Sequence, residues 1–447
     1  MIRKHIFSNG FTLVYQKSTT KTPITYVNTI CDTGPIYERE NMRGVSHLIE
    51  HMCYKGTKKI PKSFDLFTVY DNYGAYINAT TTKRYTVYKV KCEDQYSKHC
   101  IHLLSDMMLN SAFAKKEFEK EHQVVIEESI KDDENNEYII NTMKDALIYK
   151  NTPFEFQIDS VKYHKKGNLK YDDIVRTYNE FYIPSNMILS VVSNLSFDFF
   201  VKLVKTTYFN NQTNPQQLAK LQSNKQYIHG LPMQQEIQYN IRPNKKMDIT
   251  NLSIAFRVCS QYSTHDKYVL DIISNLLGGY FSSRLFTVLR EENGLTYSSN
   301  ASVDYNEFMG NFTISAITDP RKLIKNGNKK GVLPIIIDLL NNIIQGNITS
   351  QELSVAKHNL HGKYTLKMNN PYIISMYNCE KTLLFPHETA VPFHKLYDTY
   401  YKNITLNDVN TVIRKYFVHN NMNVCVLGEI KTNNQMIQKI CGKIRKI

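Results

Sequence analysis

The sequence predicts an α+β protein made of two copies of one unit, each a mostly antiparallel sheet packed with helices. Three observations predict it. Strand pairs are followed by helices within each half, the pattern of a sheet layered against helices. The same order of elements occurs twice. Short stretches also match in register: Phe113-Ala-Lys-Lys-Glu117-Phe118 with Ile348-Thr-Ser-Gln-Glu352-Leu353 and, more loosely, Gly74-Ala-Tyr-Ile-Asn78 with Gly294-Leu-Thr-Tyr-Ser298. Two copies of a long unit indicate domain duplication rather than a solenoid.

In the first copy, apolar strands are expected at Phe11–Tyr15 and Ile24–Cys31, followed by a helix over about Val45–Tyr54. A strand-rich stretch, Gly74–Val90, leads to a helix at about Ile101–Asn110 and a long helix from Lys115 to about Lys131. The second copy places strands at Ile237–Ile241 and Leu252–Cys259 and a helix at about Tyr268–Leu277. Strands then run through Ile317, with helices at about Leu333–Ile344 and from near Gln351. Between the copies, Asn210–Gln226 is rich in Asn and Gln and contains Pro215, which reads as a polar linker. The expected division is therefore residues 1–210, a linker at 211–226, and residues 227–447.

Composition limits the possible functions. With 447 residues, 42% hydrophobic and 21% charged, the chain is globular and neither fibrous nor disordered. Its longest apolar stretch, Val332–Ile344, is interrupted by Pro334, Asp338, Asn341 and Asn342, short of the roughly 18 residues a membrane span needs. The net charge of +14 is spread over the chain, which fits a solvated lysine-rich surface; no specific nucleic-acid reader motif accompanies it. No GxxxxGK[ST] phosphate loop occurs. The eight cysteines form no CxxC pair, and no signal or transit segment is seen, so reduced thiols and a cytoplasmic location are expected.

The chemistry-bearing segment is Gly44-Val-Ser-His47-Leu-Ile-Glu50-His51-Met-Cys-Tyr. On a helix, residues four apart share a face, so His47 and His51 can aim ring nitrogens at one metal. Glu50 lies on the same side, within reach of a metal-bound water. The plainer alternative is a helical histidine pair satisfied by hydrogen bonds. A catalytic zinc wants three protein ligands and an open position. The helix from Lys115 offers Glu117, Glu119, Glu121, Glu127 and Glu128. Glu121 and Glu128, two turns apart, lie nearly on one face, with Val124 and Val125 expected to dock it inward. The remaining glutamates read as an exposed acidic face, and Cys53 as a packed thiol.

His47-x-x-Glu50-His51 with a distant Glu resembles the inverted zinc motif of the pitrilysin and insulin-degrading metallopeptidase family, especially its small mitochondrial-processing-peptidase-like and bacterial members. Spacing alone admits Glu127 or Glu128. The family's pattern on that helix favours Glu128 as ligand and Glu121 as supporting carboxylate. Phe181-Tyr-Ile-Pro184-Ser-Asn186-Met187, and Arg284 through Arg290 to Tyr297, are similar to further family segments. Asp32-Thr-Gly-Pro35 departs from the small-residue turn usual there.

The resemblance implies half of a clamshell-like peptidase with one Zn2+ per chain, bound by His47, His51 and Glu128. Glu50 would serve as general base toward a zinc-activated water, and Arg290 and Tyr297 as donors to the reacting carbonyl. An extended peptide or unfolded polypeptide is expected at the edge strand near Gly74, Ala75 and Asn78; Asn78 either binds its backbone or has a strand-end role. The helix of the second copy, Asp271-Ile-Ile-Ser-Asn275, lacks histidine, hence a single metal site. A homodimer or a heterodimer is expected. The alternative function is that of a non-catalytic or partner subunit of the same fold in a hetero-oligomeric peptidase.

Overall fold

The computed structural model describes residues 2–159, 169–225, 234–388 and 390–445. In chain order the strands are β1 (Ile2–Ile6), β2 (Thr12–Lys17), β3 (Ile24–Cys31), β4 (Tyr76–Thr81), β5 (Thr86–Glu93), β6 (Met187–Ser193), β7 (Gln238–Pro243), β8 (Thr250–Val258), β9 (Thr296–Tyr305), β10 (Gly310–Thr318), β11 (Lys325–Asn326), β12 (Lys329–Lys330) and β13 (Met422–Gly428). The helices are α1 (Val45–Cys53), α2 (Ser63–Asn72), α3 (Ser97–Leu109), α4 (Lys115–Glu134), α5 (Asn136–Ile148), α6 (Tyr171–Phe181), α7 (Phe197–Val204), α8 (Pro215–Asn224), α9 (Asp266–Gly278), α10 (Val332–Ile344), α11 (Ser350–Lys367), α12 (Pro371–Leu384), α13 (Leu406–Tyr416) and α14 (Asn434–Cys441). The α+β class holds, with each sheet packed against helices.

The duplication is visible in the strand order. The first sheet runs β1-β2-β6-β3-β5-β4 and the second β7-β13-β8-β10-β9. Without β1, the two orders correspond strand for strand. One parallel pair occurs at the same place in each, β2 with β6 and β7 with β13, and the other ladders are antiparallel. Both outer strands, β4 and β9, follow a glycine in left-handed conformation, Gly74 at φ +56° and Gly294 at φ +57°. A side chain would be strained at either turn.

The chain forms two compact units: Met1–Asp133, Phe156–Tyr227 and Leu366–His394 in one, and Glu134–Glu155, Ile228–Thr365 and Lys395–Ile447 in the other. This differs from a cut at one linker, because each copy gives a helix to the other copy's sheet. In the first unit, alternate residues of the strands face opposite sides. Val27, Tyr88, Val90, Leu189 and Val191 point into the main core with Leu48, Ile49 and Met52 of α1. On the other face Ile30 and Val87 pack against Cys379 of α12, and Ser375 Oγ donates to Ser190 O at 3.0 Å. In the second unit, Leu252, Ile254, Phe256, Val424 and Val426 join α9 and α10 in the core. Cys425 and Leu427 meet Met143 of α5 on the other face.

The expected linker also differs. Residues 215–224 form α8, capped by Asn214, whose side chain accepts from Gln216 N, with Pro215 opening the first turn. Leu221 is buried in the first core. Its polar composition is that of a surface helix, docked by Leu221 together with an ion pair from Lys220 to Glu180 and a hydrogen bond from Gln217 Nε2 to Asn179 O. The stretch up to Asn214 is irregular and Gln226 lies outside the described residues. Among the described residues, no helix is long and apolar enough to cross a membrane.

Candidate metal centre

Helix α1 presents Val45, Leu48, Ile49 and Met52 to the core, as its spacing predicts, and turns both histidines to one side. The rings of His47 and His51 lie 4.8 Å apart, nearly perpendicular. Among the described residues, His47, His51 and Glu128 form a group whose ligand atoms all lie within 4.8 Å of one another. Glu128 Oε2 is 3.4 Å from His51 Nε2 and 3.8 Å from His47 Nε2. Donors about 2.0–2.1 Å from a tetrahedral zinc stand roughly 3.3 Å apart, so this donor set fits the ion.

The opposite ring nitrogens are engaged. His47 Nδ1 lies 2.9 Å from Asp159 Oδ2, and His51 Nδ1 lies 3.2 Å from Glu121 Oε2. Glu121 also accepts from Lys55 Nζ at 2.7 Å. Burial alone would raise the Glu121 pKa, but His51 and Lys55 hold it below the ordinary carboxylate value. Burial disfavours a charged His47, yet Asp159, Glu50 and Glu128 together raise its pKa. Surroundings that favour a proton on this ring also favour a metal cation beside it.

The structure places Glu128, itself 49% exposed, in the group; Glu127, also exposed, is not part of it. Val125 is buried, but Val124 is 38% exposed, contrary to the expectation that both dock inward. At 3.6 residues per turn, a face that holds Glu121, Val125 and Glu128 carries Val124 away from the core. Glu50 is buried, and Thr81 Oγ1 donates to its Oε2 at 2.6 Å. Cys53 is a packed thiol whose pKa burial pushes up to about 12.

Thr81 ends β4, the outer strand of the first sheet, whose far side has no ladder partner among the described residues. Tyr76, Asn78 and Thr80 alternate outward along it. Asn78 Nδ2 donates to Tyr76 Oη at 2.9 Å, and its Oδ1 accepts from Ala79 N at 2.8 Å, so in this structure its amide serves the strand itself. Gly74 and Ala75 form the turn into the strand.

Arg290 and Tyr297 lie in the second unit. Arg290 sits in a π-helical turn, Phe286–Glu291, and its Nη1 donates to Tyr297 O at 2.5 Å. Tyr297 is 64% exposed. Asp32, in the segment that departs from the family, forms a buried cluster with Arg84 Nε at 3.1 Å and Lys225 Nζ at 2.5 Å. Sequence reasoning missed Asp159 and Thr81. No local pattern marks either one, since their partners lie 112 and 31 positions away.

Residues 13–158 match the insulinase (peptidase family M16) profile, and residues 168–360 match the profile of the peptidase M16 inactive domain. The chain belongs to this peptidase family. It is 25% identical to the zinc protease YmxG of Bacillus subtilis, over 93% of this chain and 96% of that one. It is 24% identical to the mitochondrial-processing peptidase subunit beta of Caenorhabditis elegans, over 94% and 88% of the two chains. Its fold matches that of a protease from Helicobacter pylori with a TM-score of 0.85 at 19% identity, covering 96% of this chain and 99% of that one.

Proposed function

We propose that this protein is a zinc-dependent metalloendopeptidase that hydrolyses peptides or unfolded segments, with one zinc per chain held by His47, His51 and Glu128. The observation that carries the reading is the convergence of two Nε2 atoms and one carboxylate oxygen, with the buried carboxylate of Glu50 on the same helix. Zinc, when bound, supplies Lewis acidity toward a peptide carbonyl and lowers the pKa of water.

The chain's own residues supply the rest. Thr81 holds Glu50 Oε2, which leaves Oε1 to take a proton from the attacking water and return it to the leaving amine. Glu121 supports His51. The outer edge of β4, entered through Gly74 and Ala75, offers backbone donors and acceptors to an extended peptide. Asn78 joins it by exchanging its present strand contacts for the peptide backbone. Arg290 and Tyr297 contribute a cation and a phenol to the carbonyl oxygen as it gains charge. Similarity to a protein named as a subunit of a processing peptidase favours a paired assembly, either two copies or this chain with a partner.

The deciding experiment is Glu50→Gln. The variant keeps its zinc and loses peptide cleavage by about 10²–10⁴-fold, the range for a general base. Unchanged cleavage by Glu50→Gln removes this mechanism.

A further inference from the structure

We propose that Asp159 is a positioning residue for the metal centre: it fixes the tautomer and ring orientation of His47. This inference rests on the reading of the centre given above.

Imidazole ligates through the nitrogen that carries no hydrogen, so a ligand histidine must be held in one of its two tautomers. A hydrogen bond from Nδ1–H to a carboxylate selects the form whose Nε2 lone pair is free. Asp159 Oδ2 lies 2.9 Å from His47 Nδ1, while His47 Nε2 faces Glu128. Asp159 is 5% exposed, and a carboxylate so buried requires polar partners. His51 has the matching arrangement with Glu121. Each histidine thus has a carboxylate of its own, drawn from a different part of the chain.

The segment bearing Asp159 is tied to the start of the metal helix. Arg43 lies over the ring of Phe156, 3.9 Å from its centroid, and its Nη1 donates to Pro35 O at 2.7 Å. Arg43 immediately precedes Gly44, the N-cap of α1. Arg43 therefore joins the stretch three residues before Asp159 to the start of the helix carrying His47.

The test uses the full chain and measures zinc affinity by competition with a chromogenic chelator, alongside the visible spectrum of the cobalt-substituted protein. Asp159→Asn keeps the size but can donate to Nδ1 and select the wrong tautomer; Asp159→Ala removes the acceptor. Both are expected to weaken zinc binding by about 10–100-fold and to shift the cobalt bands. Asp159→Glu is expected to recover part of the affinity, and Phe156→Ala to weaken zinc by a smaller factor. Should Asp159→Ala fail to fold, Asp159→Asn carries the test. Wild-type zinc affinity and an unshifted cobalt spectrum in Asp159→Asn overturn the role of Asp159 alone. Absence of zinc binding by the wild-type chain overturns the metal centre itself, and this inference with it.

Discussion

Lys363 Nζ donates to Asn275 Oδ1 at 2.7 Å in the second unit. In the register of the duplication, these residues stand where the first unit has Glu128 and His51. A second contact is retained: Asn275 Nδ2 donates to the carbonyl of Ala356 at 2.8 Å, and Ala356 occupies the position of Glu121. At these positions the second copy joins an ammonium, an amide and a backbone carbonyl.

One zinc per chain is therefore expected, and elemental analysis of purified protein checks it. His51→Ala abolishes it. Lys363→Met leaves the zinc content unchanged but removes the donor to two part-buried acceptors, Asn275 Oδ1 and Gly279 O. Its stability falls by about 1–3 kcal/mol in chemical denaturation.

Glu127 and Glu128 are neighbours in sequence, and among the described residues it is Glu128 that groups with the two histidines. Glu128→Gln should weaken zinc binding at least 100-fold, by loss of a charged ligand, and cleavage should fall with it. Glu127→Gln should leave both within about twofold, since it changes an exposed side chain where effects are small. Equal effects of the two substitutions on zinc affinity would contradict this assignment.

Thr81→Val removes the hydroxyl that holds Glu50. A hydrogen bond to a charged group contributes about 1.5–3 kcal/mol, so kcat should fall by up to about 10–150-fold while bound zinc is retained. Steady-state kinetics with a fluorogenic peptide, paired with zinc analysis, distinguishes this from loss of the metal.

Glu352 gives the second unit an acid-sensitive contact. Its two oxygens accept from Arg284 at 2.6 and 2.9 Å and, with Thr349 also donating, its pKa is held down to about 2. A carboxylate depressed on folding stabilises above its unfolded pKa, about 4.3, and loses that contribution as pH falls through the folded value. The expected contribution is about 1 kcal/mol after allowance for solvent screening. In denaturation curves, the gap between wild type and Glu352→Gln should be present at pH 6 and close between about pH 4.5 and 2.

Exchange of α5 and α12 bears on whether one copy folds alone. A fragment of residues 1–227 lacks α12, leaving Ile30 and Val87 uncovered, and carries α5 without its sheet. Several apolar side chains at about 1.5–3 kcal/mol each lose their burial. The fragment is expected to bind ANS or aggregate, and co-expression with residues 228–447 is expected to rescue it. A monomeric fragment with sharp, cooperative unfolding would refute this.

The sequence by itself determined that His47 and His51 lie on one side of α1, because residues four apart on a helix share a face whatever surrounds them. It also determined the duplication, because strand alternation and helix periodicity recur locally in each copy. For the proposed third ligand it left a pair of adjacent glutamates, of which resemblance favoured Glu128; in the structure Glu128 has a carboxylate oxygen within 4.8 Å of the histidine nitrogens. Only the tertiary structure decided that Asp159 meets His47 and Thr81 meets Glu50, that the two copies trade helices, and that residues 215–224 coil into α8. Those outcomes depend on chain segments meeting across long sequence separations, where no short-range period carries a signal and only burial of complementary groups selects the partner.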